Sequence, residues 1–284
     1  MTQATHTQLA TRRHTPACSW SISAVLPAYN EEALIARTVR HVAAALGRLA
    51  DDFEVIVVDD GSRDRTGAVL AALQAAEPDL RLRVVTHPRN RGYGAALASG
   101  FDAARLDLIF LTDGDRQFDV AELEKFLPAL DERTDLVIGW RQNRADPPLR
   151  LFNAWGWKLL VNALFGYTAR DVDCAFKLFR RRVWQSLTVH ARGATFSAEL
   201  LVKARRLGFR VKELPVSHFP RSAGSATGAR PAVIVRALAE LFRLRIRLEG
   251  DLAADRGRRR VSSHQALLTG WLGPRVKRTF RWPT

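Results

Sequence analysis

The run Asp113-Gly114-Asp115-Arg116-Gln117 sets two carboxylates two positions apart, close enough to share one divalent cation. Hard oxygen ligands suit Mg2+ or Mn2+, which keep further coordination positions for substrate phosphates. Gln117 adds a carbonyl oxygen to the set. A second acid cluster, Asp59-Asp60-Gly61-Ser62, can accept hydrogen bonds from a ribose or from a base N–H. A third segment, Asn90-Arg91-Gly92-Tyr93-Gly94-Ala95-Ala96, opens a helical stretch, where free backbone N–H groups can face an anion. It falls short of the dinucleotide fingerprint, because Leu97 stands where the third glycine belongs and the loop follows the third strand, not the first. The chain also lacks a G-x-x-x-x-G-K-[ST] loop, which removes P-loop chemistry. The seven histidines make no H-x-x-x-H or H-x-E pair.

These residues need a scaffold, and the flanking sequence predicts one. Apolar runs with strand character alternate with helical spacing from residue 21 to about 217. Strands are expected at Ser21–Pro27, Phe53–Val58, Leu82–Thr86, Leu108–Thr112 and Leu136–Gly139. Helices are expected at Glu31–Leu49, Thr66–Ala76, Gly94–Ala104 and Val120–Leu130. This rhythm implies an α/β fold with a mostly parallel, Rossmann-like sheet and helices on both faces. Open parallel sheets bind ligands beyond the carboxyl ends of their strands. The polar clusters fall there: Pro27-Ala28-Tyr29-Asn30-Glu31 after the first strand, Asp59 to Ser62 after the second, and Asp113 to Gln117 after the fourth.

The 284 residues are 47% hydrophobic and 26% charged, as in an ordinary globular protein, which excludes a disordered or low-complexity chain. Two cysteines, Cys18 and Cys174, rule out a disulfide framework and fit reduced thiols in a cytosolic protein. The net charge of +15 is uneven: residues 21–228 carry 29 basic and 25 acidic side chains, whereas residues 229–284 carry 13 and 4. The expected organisation is a loose N-terminal arm (1–20), a nearly balanced body (21–228), and a basic amphipathic helix with its tail (229–284). A basic extension on a balanced body suggests attachment to an anionic surface, of membrane or nucleic acid. A nucleic-acid-binding role is rejected, because it leaves the acid clusters unexplained. No 18-residue apolar run predicts a transmembrane helix, and the polar N-terminus does not read as a secretory signal.

Leu149–Tyr167 reads as a helix apolar on nearly all sides. Over 232–248, Arg236, Glu240, Arg243 and Arg247 form one stripe. Ile234, Val235, Leu238, Leu241, Phe242, Leu244 and Leu248 form a broad apolar face. Such a helix, with Trp155, Trp157, Trp271 and Trp282, suits an interfacial protein; it equally suits packing on the body or on a second chain. Residues 250–284 show no clear periodicity.

Taken together, PAYNE, VVDDGS, NRGYGAA, TDGDRQ, DVDCAFKLF and HFPRSAG resemble the inverting family 2 glycosyltransferases of GT-A fold over residues 21–228. Within them the chain is most similar to the polyprenol-phosphate (dolichol-phosphate) mannosyl- and glucosyltransferases. The resemblance implies that Pro27, Tyr29 and Glu31 line a nucleotide pocket, with Asp60 on the base or ribose and Gly114 in the donor loop. Asp113, Asp115 and Gln117 would hold the metal at the donor diphosphate. Arg141 and Arg150 would handle donor or acceptor phosphate, Asp171 and Lys177 would belong to the acceptor-side motif, and Arg221 and Ser225 to a late phosphate-binding loop that His218 shares. Ala175 and Lys177 depart from the Gly and Arg common in relatives.

The implied reaction moves a hexose, mannose or glucose, from GDP-mannose or UDP-glucose to a dolichyl or undecaprenyl phosphate. A lipid phosphate is already anionic and needs cations to hold it against the donor, whereas a sugar hydroxyl needs a carboxylate base, here Asp171 or Asp173. A soluble family 2 enzyme with a hydroxyl acceptor is therefore the alternative. A processive polysaccharide synthase lacks support, because no Q-x-x-R-W sequence occurs. A polyprenol cannot leave the bilayer cheaply, at about 0.8 kcal/mol per CH2. The expected location is therefore cytoplasmic, peripheral at the inner membrane face, with room for a separate membrane-spanning partner.

Overall fold

A computed structural model describes residues 20–114, 116–142, 148–220 and 231–271; for 148–150, 231–234 and 258–271 it describes the backbone alone. The first strand, β1 (Ser21–Ala28), runs into α1 (Ile35–Leu49). The chain continues through β2 (Asp52–Asp59), α2 (Thr66–Ala76), β3 (Leu82–Thr86), α3 (Tyr93–Ala103) and β4 (Leu108–Leu111). The second half holds α4 (Leu123–Phe126), β5 (Leu136–Gln142), α5 (Pro148–Phe165), β6 (Lys177–Arg180), α6 (Arg181–Gln185), α7 (Phe196–Arg206), β7 (Val211–Ser217) and α8 (Pro231–Trp271). The seven strands form one sheet in the order β3-β2-β1-β4-β6-β5-β7, parallel except for β6, which runs against both neighbours.

Strand β2 shows why the sheet forms. Val55 to Val58 are wholly buried, and alternate residues feed opposite cores: Val55 and Val57 enter the core that α1, α2 and α4 share, while Ile56 and Val58 enter the one that α3, α7 and α8 share. A strand covered on both faces reads as one apolar run rather than as an alternation. Gly100 lets α3 lie close on this sheet, since a Cβ there would stand 2.3 Å from Val25 Cγ1.

The register aligns the site. Ala28 lies beside Asp59, Leu111 beside Lys177, Ile138 beside Lys177, and Gln142 beside Ser217. The carboxyl ends of β1, β2, β4, β5 and β7 and the start of β6 therefore share one rim.

Expectations for three helices are corrected. The helix expected at Val120–Leu130 is a 3-10 turn (Val120–Glu122) and the single turn α4, because Pro128 cannot donate to a continuing helix. The helix over 232–248 continues to Trp271. Its Leu241, Leu244, Leu248 and Leu252 sit in the body's core, whereas Val235, Phe242 and Ile246 are exposed, so the broad apolar face divides into two. The expected charged stripe divides too: Arg247 turns inward to the buried Glu199. Helix α5 is likewise two-sided, with Val161 and Phe165 buried and Leu151, Phe152, Trp155 and Leu159 exposed.

Candidate active site

The loops after β1 and β2 clasp each other. Asn30, in the left-handed region at φ 57, takes the Arg63 N–H on its Oδ1 at 2.8 Å and donates its own N–H to Ser62 Oγ at 3.0 Å. The Glu31 N–H meets Thr66 Oγ1 at 2.8 Å, and Glu32 accepts from the Arg65 N–H at 2.9 Å. Gly61 is needed here: φ is 69, and a Cβ would fall 2.4 Å from the Arg89 carbonyl carbon. Asp59 stays below the rim and accepts from the Ser62 N–H at 2.9 Å.

The loop after β4 joins this pair through Thr38 of α1, whose hydroxyl donates to the Gly114 carbonyl at 2.8 Å. Asp113 is partly exposed at the rim, and the Tyr93 hydroxyl donates to its Oδ1 at 3.1 Å. Gln117 is buried. Its Nε2 donates to the Phe219 carbonyl at 3.1 Å, and its own carbonyl accepts from the Phe219 N–H at 2.9 Å. The segment leading to the late loop is thereby fastened beside the Asp113 loop.

Across the rim, Arg141 at the end of β5 forms a fork with Asp171, Nε to Oδ2 at 2.7 Å and a terminal nitrogen to Oδ1 at 2.8 Å. Burial works against the Arg141 charge, but the bonds to Asp171 outweigh it and raise the pKa above the ordinary arginine value. Arg170 lies over the Trp140 ring at 3.8 Å. A groove of about 310 Å3 opens beside the fork, walled by Trp155, Leu151 and Trp157 on the α5 side and edged by Lys158 and Arg170.

Residues 23–188 match the sequence profile of glycosyl transferase family 2, more than half of the chain. The chain belongs to glycosyl transferase family 2. It is 34% identical over 214 residues to dodecaprenyl-phosphate galacturonate synthase of Rhizobium johnstonii, covering 74% of this chain and 62% of that protein. It is 32% identical over 207 residues to undecaprenyl-phosphate 4-deoxy-4-formamido-L-arabinose transferase of Pseudomonas paraeruginosa, covering 72% and 59%. The match thus spans about three fifths of these relatives' length. Among solved structures, glucosyl-3-phosphoglycerate synthase from Mycobacterium tuberculosis, crystallised with Mn2+, UDP and phosphoglyceric acid, superposes with a TM-score of 0.62 at 23% identity, covering 80% of this chain and 78% of that one. That likeness shows the fold, the GT-A arrangement expected from the sequence.

The family 2 rim gathers Pro27, Tyr29, Glu31, Asp113 and Gly114 with Arg141 and Asp171. Asp115, Arg221 and Ser225 lie outside the described residues, and Arg150 is placed only by its backbone in the first turn of α5. Two expected ligand contacts, Asp60 and Lys177, are buried. Asp60 is 3% exposed and accepts from the N–H groups of Arg91 and Gly92, at 2.9 Å each, while its Oδ1 also meets His87 Nδ1 at 2.6 Å. Lys177 is fully buried and donates to the carbonyls of Val172 and Cys174, beneath the loop that carries Asp171. Burial pushes the Lys177 pKa down and the Cys174 thiol up to about 12, so the thiol stays protonated and inert.

Sequence reasoning gave no role of their own to Tyr93, His87 and Glu199. Tyr93 and His87 had a signal in flanking the Asn90–Gly92 turn; Glu199 had none. Among the described residues no group of three or more His, Cys, Asp or Glu side chains assembles as a metal cluster. Asp113 at the strand end still offers hard carboxylate oxygen, the donor type that Mg2+ and Mn2+ take.

Proposed function

We propose that this chain transfers a glycosyl group from a nucleotide sugar to a polyprenyl phosphate, with inversion at the sugar C1. The observation that carries the reading is the juxtaposition at one rim of the Asp113 loop with a cation-edged groove whose far wall is apolar and aromatic. One side suits a diphosphate. The other suits an anionic head on an isoprenoid tail. The names of the two polyprenyl-phosphate relatives support it.

In this scheme a phosphate oxygen of the acceptor attacks C1, the C1–O bond to the diphosphate breaks, and the nucleoside diphosphate leaves with the electron pair. Asp113, with Asp115 assigned from sequence, would hold Mg2+ or Mn2+; such an ion, when bound, offsets the charge growing on the leaving group. Two unit anions 4 Å apart repel by about 4 kcal/mol at an effective dielectric of 20. Arg141, Lys158 and Arg170, which line the groove, would lower that cost, joined by Arg150, Arg221 and Ser225 on the sequence reading. Lys177 acts from below, holding the Asp171 loop in shape. Both Asp171 oxygens are engaged by Arg141, which disfavours Asp171 as the base that a hydroxyl acceptor needs. Pro27, Tyr29, Glu31 and Gly114 form the nucleotide side, with Asp60 shaping the turn behind it.

The membrane face in this reading is built from the exposed apolar residues of α5 and the outer stripe of α8. Val235, Phe242 and Ile246 are exposed between Arg236, Arg243 and Arg245. Apolar side chains flanked by arginines suit the anionic cytoplasmic leaflet, where the enzyme would sit peripherally. No helix among the described residues is long and apolar enough to cross a membrane.

The test is transfer of radiolabelled sugar to undecaprenyl phosphate in vesicles, with UDP-glucose, GDP-mannose and UDP-galacturonate as donors. Label should enter the lipid phase from one of them, and Asp115→Ala should cut the rate by at least about a hundredfold. Full activity in Asp115→Ala, or transfer to a soluble hydroxyl acceptor in place of lipid, overturns the reading.

A further inference from the structure

Tyr93 is the first residue of α3, and its ring is 37% exposed at the rim. Its hydroxyl reaches Asp113 Oδ1 at 3.1 Å, and such a bond sets the plane in which the carboxylate presents its oxygens. The bond has force only if the tyrosine is itself held, and the turn that carries it is fastened from two directions. From below, Asp60 receives the N–H groups of Arg91 and Gly92 on its two oxygens. The Oδ1 that takes the Arg91 N–H also meets Nδ1 of His87, whose other ring nitrogen meets Ser99 Oγ at 2.9 Å, further along the same helix α3. From behind, the Ala95 N–H donates to the Arg192 carbonyl at 3.2 Å. The approach is close enough to demand glycine twice: a Cβ on Gly92 (φ 100) would stand 2.7 Å from the Arg192 oxygen, and one on Gly94 would stand 2.8 Å from Phe196 Cβ. The Arg192 loop is tied in turn to α7, since the Ala191 N–H donates to the buried Glu199 at 2.8 Å.

We propose that Tyr93 is a positioning residue for the donor-side carboxylate Asp113, and that the buried Asp60–His87–Ser99 chain and the Arg192 carbonyl hold it in place. The proposal rests on the reading of Asp113 as a ligand for the donor's divalent cation. Groups that orient a ligating carboxylate change metal affinity about 10- to 100-fold when removed. Mg2+ demands near-ideal octahedral geometry, so a loosened carboxylate should harm Mg2+ binding more than binding of the larger Mn2+.

The experiment is calorimetric titration of the full chain with UDP and with GDP, each with Mg2+, with Mn2+ or without metal, on wild type, Tyr93→Phe and Asp113→Asn. Tyr93→Phe removes one oxygen from a partly exposed ring and should leave the melting temperature and metal-free nucleotide binding unchanged. Mg2+-dependent binding should weaken about tenfold or more, and Mn2+-dependent binding by less. Equal affinities for wild type and Tyr93→Phe with both ions overturn the proposal. So does a uniform loss that includes metal-free binding and melting temperature, which marks a merely structural role. If Asp113→Asn also binds Mg2+ or Mn2+ nucleotide as wild type does, or if neither nucleotide binds wild type, the donor-site reading itself fails.

Discussion

Lys203 and Glu199 give the sharpest test of how α8 belongs to the body. Both side chains are fully buried and lie 2.9 Å apart, one helical turn from each other on α7. Lys203 also reaches Asp251 of α8 at 2.7 Å and the Thr188 carbonyl, while Arg247 of α8 reaches Glu199 at 3.0 Å. At 2.9 Å and an effective dielectric of 20 the gross attraction of the buried pair is about 6 kcal/mol, most of it offset by desolvation. Removing one partner forfeits the attraction and keeps the other's desolvation cost. Lys203→Met should therefore cost about 3–5 kcal/mol, because the only cation Glu199 is then shown to keep is the partly exposed Arg247. Glu199→Leu should cost a similar amount, with a further loss at the Ala191 N–H. The double variant buries no orphan charge from the pair and keeps the Arg247–Asp251 contact at 3.2 Å. Its cost should fall below the sum of the singles by at least about 2 kcal/mol. Urea unfolding followed by tryptophan fluorescence on the four proteins closes the cycle. Additivity within about 0.5 kcal/mol, or a Lys203→Met cost under about 1 kcal/mol, would refute the reasoning.

Acid stability should change in Asp131→Asn. Bonds from Lys212 and Thr134 hold the Asp131 carboxyl at about 2 against an ordinary 3.8, so its contribution is present above the ordinary value and fades as pH falls through about 2. Asp131→Asn should be less stable than wild type at neutral pH, and the difference should shrink as pH falls through about 2 in denaturant titrations. Lys177→Met leaves the Val172 and Cys174 carbonyls without their donor and should cost about 1–3 kcal/mol. Because burial lowers the Lys177 pKa from 10.5, wild type should gain stability as pH rises from the lowered value toward 10.5, and Lys177→Met should show no such rise when both are unfolded across alkaline pH. Phe242→Ser and Ile246→Ser, at positions 53% and 85% exposed, should leave the melting temperature unchanged. Each should weaken sedimentation with anionic vesicles about tenfold, as expected for about 1.4 kcal/mol of lost apolar burial.

Much of the scaffold could be read from the chain because its signals are local. The Val55–Val58 run marks a doubly covered strand, and three polar clusters each follow an apolar run, which puts them at one rim once parallel pairing is assumed. Strand β6 gave no such signal. It is four residues long, Lys177–Arg180, and its first residue belongs to a segment that reads as chemistry. Its antiparallel course is fixed by contacts with β4 and β5, which are distant in sequence. The two faces of α8 were equally hidden: period alone placed Leu241 and Phe242 together, and only the position of α7 decides which of them is buried.

The same limit explains Asp60 and Lys177. A charged residue at a strand end reads as a ligand contact, because exposed charge is the common case. Both are buried here, and each is bonded to backbone: Asp60 to two N–H groups, besides His87, and Lys177 to two carbonyls. The residues above them, Tyr93 on one side and Asp171 on the other, are the ones that reach the rim. A buried charge that binds backbone gives a loop one conformation, since any other leaves the charge unpaired. On the proposed function the sequence motif thus mixes two kinds of residue, those that would meet ligand and those that fix the loops presenting them. Spacing does not separate the two, because both must lie within a few residues of the strand end. Burial separates them. On that criterion Asp60 and Lys177 should tolerate only replacements that keep their backbone bonds, whereas Asp113 should tolerate only those that keep a carboxylate.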